Sequence, residues 1–129
     1  MHDLELTDIL SRFLTQRSHI NWDKCAVRTS VFSEKHPKGF SVFHTTGLTD
    51  KQIQEIAHQY VINDPTRPLR GHFELEVAVY EQAKLSIKKS EPPPKHYNVF
   101  GMPVSSDVEE ASKLSMRQFL VDKARLKLT

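Results

Sequence analysis

Three histidines and two cations carry the chemistry that this sequence offers most readily. Arg70 precedes His72 by two positions, Lys95 precedes His96 directly, and His44 stands in FSVFHTT, residues 40–46. Two imidazoles and a cation suffice to cleave RNA without a metal, one ring acting as base, the other as acid, and the cation stabilising the pentacoordinate phosphorus. That chemistry needs the groups in one place, and sequence does not bring them there. The competing reading makes His44 and His96 hydrogen-bonded residues at strand ends and His72 a turn residue. No catalytic residue is therefore expected, with His44, His72, His96, Arg70 and Lys95 as the candidates if the chain is an enzyme. No metal is expected either, because no histidine pair has the helical spacing of a zinc motif and Cys25 is the single cysteine. Without a phosphate loop or a nucleophile motif, no cofactor is expected.

A second set of side chains suggests nucleic acid. Lys88, Lys89 and Lys95 flank the run Pro92–Pro94, and Tyr97 follows closely enough to offer a stacking face. Such a surface would bind RNA. Against it stands the overall balance of 18 Lys and Arg with 16 Asp and Glu, a net charge of +2, which fits a solvated face better than an electrostatic nucleic-acid domain. Nucleic-acid binding is the lesser expectation.

The elements that must position these groups can be read from periodicity and caps. At 129 residues, the chain is expected to form one domain, 1–129, with one modest core. Residues Asp3 to Thr15 place Leu6, Ile9, Leu10, Phe13 and Leu14 at three- and four-residue spacing, which predicts a helix. Asn21 to Phe32 alternates as a strand would, with Cys25 as a small buried residue. Phe40 to Thr46 reads as a strand after the EKHPKG turn, residues 34–39. Leu48, Thr49, Gln52 and Ile53 then fit a capping box with a hydrophobic staple, so a helix should run from Asp50 to Ile62 before the loop at 63–68. Phe73 to Lys89 fits strand and helix about equally. Tyr97 to Phe100 reads as a strand ended by Gly101 and Pro103. Ser106 and Glu109 form a second capping box for a helix reaching Lys127, whose apolar residues Ala111, Leu114, Met116, Phe119, Leu120, Val121 and Ala124 spread wider than one stripe.

The succession SVFHTTGLTDKQI, RGHFEL and PPPKHYNVFGMP resembles a pattern in short uncharacterised bacterial proteins, and covers about the middle half of the chain. The resemblance implies strand, helix, strand for Phe73 to Lys89, and it brings no activity, cofactor or catalytic residue. The expected fold is α+β, a small mixed or antiparallel sheet packed against two or three helices, with those at 50–62 and 106–127 on one face. No stretch is apolar enough to span a membrane, and the first ten residues lack the pattern of an export signal, so a cytoplasmic protein with no membrane partner is expected.

The expected function is a small non-enzymatic interaction protein, an accessory or regulatory subunit of a bacterial multi-protein system. Its partner would be another protein subunit or a second copy of the chain. The surplus apolar surface near the C-terminus makes Met116, Leu120 and Val121 the expected contacts. The alternative is a histidine-dependent RNA-cleaving enzyme or toxin, or a small RNA-binding protein.

Overall fold

The structure, a computed structural model, describes residues 3–32, 39–62, 66–101 and 110–129. Its central element is a strand where the periodicity predicts a helix: β1, Ile9–Leu14. It lies between β4 (Phe40–His44) and β5 (Gly71–Glu76) and is antiparallel to both. A central strand is apolar on both sides, so its leucines and phenylalanine form a near-continuous run that mimics helical spacing. Leu10 and Leu14 point to one face of the sheet, with Leu75 and Gly71 opposite them; Phe13 points to the other, opposite His72. Arg12 shares the first face and lays its guanidinium over the Phe40 ring, 4.8 Å from the centroid.

The six-stranded sheet has the order β6-β7-β4-β1-β5-β8, antiparallel throughout, with β6 at Ser86–Lys89, β7 at His96–Phe100 and β8 at Arg125–Leu128. With three helices, this makes the chain α+β. The ambiguous stretch resolves into β5, a short helix α2 (Val77–Gln82) and β6. Asn21 to Phe32 is not one strand. It contains half of a small hairpin, β2 (Ile20–Asn21) with β3 (Ala26–Val27), followed by a 3-10 turn at Thr29–Phe32. Cys25 sits in the hairpin turn with φ of 52° and is exposed, since the turn needs that backbone geometry and turns its side chain to solvent.

The helices do not share one face. Helix α1, Asp50–Tyr60, packs Ile53 and Ala57 inward and stacks Tyr60 on Phe43 on one side of the sheet. Helix α3, Glu110–Lys123, and α2 cover the other side, where Leu120 and Tyr80 join Leu10, Phe32, Phe40, Phe73, Leu75 and Val99 in the main core. Alternating strands with two apolar faces need cover on both, which separates the helices. The second capping box, at Ser106 and Glu109, and most of the EKHPKG turn lie outside the described residues. The last helix also stops earlier than expected, because Leu126 and Leu128 alternate with Arg125 and Lys127 and pair with β5 as β8.

The capping box at α1 is complete. Thr49 Oγ1 accepts from Gln52 N–H at 3.2 Å, and Gln52 Oε1 accepts from Thr49 N–H at 2.9 Å. Thr49→Ala leaves the Gln52 amide without this acceptor and is expected to cost about 1 kcal/mol, read as a lower urea midpoint with an unchanged slope.

Candidate functional site

The sheet register decides where the candidate histidines lie. His72 pairs with Phe13 and Phe43 pairs with His96, but Phe43 lies opposite Ser11, so the two histidines share the α1 face in neighbouring rows, bridged diagonally by Phe13 and Phe43. Phe13 packs against both His72 and Phe43, and Phe43 against His96. Three inter-strand steps, about 14 Å, separate their strands, and the offset between rows adds to that distance. His44 pairs with Leu10 and so projects to the opposite face, with Tyr97. The three histidines are thus not brought together. His72 is a buried mid-strand residue rather than a turn residue. Arg70 Nε donates to the Thr15 carbonyl at 3.3 Å, and Lys95 sits in the β6–β7 turn with φ of 67°.

Two of these histidines are held by short hydrogen bonds in structural settings. His96 Nδ1–H donates to the Ser90 carbonyl at 2.9 Å and so braces the β6–β7 turn. His44 Nε2 lies 3.0 Å from Thr46 Oγ1 and 3.4 Å from Asp8, beside the start of β1. Thr46 also donates to Asp8 at 3.0 Å. The Glu5 N–H, 2.8 Å from Asp8, is the main reason that this carboxyl lies below its ordinary range.

The nucleic-acid candidates divide in the same way. Tyr97 is only 3% exposed, and its hydroxyl donates to Asp3 at 2.7 Å, so it offers no open stacking face. Lys89 shares its strand face with Tyr97 and is paired with Asp3 at 3.3 Å and Glu91 at 3.4 Å. Lys88 points to the other face, opposite Asn98. No single surface carries Lys88, Lys89 and Tyr97 together.

Of the expected partner contacts, Leu120 is 0% exposed and belongs to the core. Here α3 packs against the 3-10 turn at Thr29–Phe32 and against α2, which turns Leu120 into the core. Met116, Phe119 and Val121 are half-buried and packed against that core. Among the described residues, these apolar side chains of α3 are largely used within the chain.

The chemically richest cluster lies where α1 meets β5 and β8. Asp50, the first residue of α1, extends over the sheet toward His72 and Glu74 of β5, and one ligand atom from each of the three lies within 4.8 Å of the others. His72 Nε2 is 3.4 Å from Glu74 Oε2. Lys127 lies across from His72 in the β5–β8 register, and its Nζ reaches Asp50 at 3.2 Å and Glu74 at 3.9 Å. Arg125 lies across from Glu74, at 3.8 Å. Burial keeps the His72 imidazole below its ordinary pKa, with Glu74 acting in the opposite direction, and so favours a neutral ring. The set is built to hold positive charge, which Lys127 supplies. Sequence reasoning singled out His72 and missed Asp50, Glu74, Arg125 and Lys127. The alternation HFE against RLK was the available signal, hidden because RLK was assigned to a helix.

A further feature is the outer edge of β8. The Thr129 N–H donates to the Arg70 carbonyl at 3.1 Å, which makes Arg70/Thr129, His72/Lys127 and Glu74/Arg125 the hydrogen-bonded pairs. The peptide groups of Leu126 and Leu128 therefore point away from β5. No strand pairs with that edge among the described residues. The β2–β3 hairpin lies beside β8, and the exposed large apolar residues include Trp22 at its turn (45%) and Leu128 on β8 (43%).

Comparison with known proteins gave no relative: no family model matches the chain, nor does any curated protein or solved structure.

Proposed function

We propose that the chain is a small interaction module, an accessory or regulatory subunit of a bacterial multi-protein system acting in the cytoplasm. Its docking surface is the β8 edge with the adjoining hairpin. The observation that carries this reading is the exposure of Trp22 and Leu128 together with a β8 edge on which no strand pairs among the described residues. A strand edge of this kind accepts an added strand, with main-chain hydrogen bonds giving affinity and side chains on alternate faces giving selectivity. Tryptophan is a frequent anchor at such contacts. Arg125 and Lys127 on β8 favour a partner strand that alternates acidic and apolar side chains.

Met116 and Val121, half-buried on α3, remain secondary candidate contacts. Among the described residues no helix is long and apolar enough to cross a membrane. The experiment is a quantitative co-purification of the native chain against a Trp22→Glu/Leu128→Glu variant. The partner's recovery is expected to fall in the variant while its circular dichroism stays native, because both side chains are already in water in the free chain.

A further inference from the structure

We propose that Asp50, His72 and Glu74 form a divalent transition-metal site for which Lys127 is the built-in competitor. The inference is independent of the docking surface. It starts from Glu74, a carboxylate whose side chain is only 10% exposed but whose cationic partners are loose. Arg125 stands at 3.8 Å and Lys127 at 3.9 Å, both beyond hydrogen-bond reach, and the His72 contact is long at 3.4 Å. A buried carboxylate held by one long hydrogen bond and two loose ion pairs can gain a stronger partner.

The geometry has the dimensions of a metal centre. Ligands about 2.1 Å from a tetrahedral ion lie about 3.4 Å from one another. His72 Nε2 and Glu74 Oε2 are already 3.4 Å apart. Asp50 completes the set within 4.8 Å. Its side chain is 61% exposed and can turn inward from the first position of α1. One imidazole nitrogen with two carboxylate oxygens suits zinc or manganese, and a site with three protein ligands leaves a position for water. Coordination through Nε2 selects the neutral His72 tautomer with its proton on Nδ1.

Lys127 shows where the cation would go. Its ammonium lies between Asp50 and Glu74, and its side chain is 44% exposed, so it can withdraw into solvent when a metal enters. The lysine and the metal neutralise the same two carboxylates and exclude each other. The metal would then fasten the start of α1 to β5, in place of the strap that Lys127 now makes from β8.

The test is titration of the full chain with Co²⁺, followed by its visible absorption, and with Zn²⁺ by calorimetry. The wild type is expected to bind one ion. Lys127→Met is expected to bind about tenfold more tightly or better, because the competing charge is gone. Asp50→Asn, which changes an exposed side chain, is expected to weaken binding by at least about tenfold, and so is His72→Gln. The proposal is overturned if Lys127→Met shows no saturable cobalt spectrum, which would make the cluster an ion-pair brace only. It is equally overturned if binding survives unchanged in Asp50→Asn, which would place the ion elsewhere and does not depend on whether the His72 variant folds.

Discussion

Leu120→Glu is expected to unfold the domain. The side chain is fully buried among Leu10, Leu14, Phe32, Phe73 and their neighbours. A carboxylate there would lose its hydration, a cost comparable to a domain's whole net stability of about 5–15 kcal/mol. Even Leu120→Ala, which adds no charge, should cost about 2–5 kcal/mol. Thermal melts by circular dichroism would show this directly. Leu120→Glu should lack a cooperative transition at 25 °C, while Met116→Glu, at a half-buried position on the same helix, should retain one. A stable, cooperatively folded Leu120→Glu would return that residue to the surface and reopen α3 as a docking face.

The second large effect is expected at Gly71. A β-carbon at this position would stand 2.6 Å from the Lys127 carbonyl oxygen and 3.2 Å from Leu128 Cα, both backbone atoms with little room to give. Strands come closest at non-hydrogen-bonded pairs, and Gly71/Leu128 is one of them. Gly71→Val should therefore push β8 off the sheet. The expected readout is fast amide exchange at Lys127 and Thr129, whose N–H groups face β5, with slow exchange retained at β1. The cost should be about 1–3 kcal/mol, the usual range for overpacking. Slow exchange at both amides in the variant would contradict the β5–β8 pairing and, with it, the position of Lys127 beside Asp50.

Much of the architecture could be read from the chain, and the misreadings have physical causes. Thr49 and Gln52 marked the start of α1 because a capping box is a local interaction, complete within four residues. The β5-α2-β6 succession was reached through resemblance, since Phe73, Leu75, Val77 and Val79 alternate as in a strand while Phe73, Val77 and Tyr80 fit a helical face. In the structure the change falls at Glu76, where strand becomes helix. β1 was misread because burial on both faces erases the alternation that identifies a strand. β8 was misread because Arg125 and Lys127 suit the end of a helix dipole as well as they suit a sheet edge. These two errors concealed the cluster at Asp50, His72 and Glu74. With the cations Arg125 and Lys127 its members come from three elements, 22 positions separating Asp50 from His72 and 53 separating His72 from Arg125. Only the antiparallel register of β5 with β8 puts the two cations beside the two acids.

The central claim is that the chain works as a binding module through the β8 edge and the hairpin that carries Trp22. The most direct measurement is sedimentation of the native chain together with the proteins that co-purify with it, compared with the Trp22→Glu/Leu128→Glu variant and with Met116→Glu. The account predicts a complex heavier than the 14.9 kDa chain for wild type. It predicts a folded, unassociated chain for the double variant and a complex largely retained for Met116→Glu. A wild-type chain that sediments alone, or a double variant that keeps its complex intact, would contradict it.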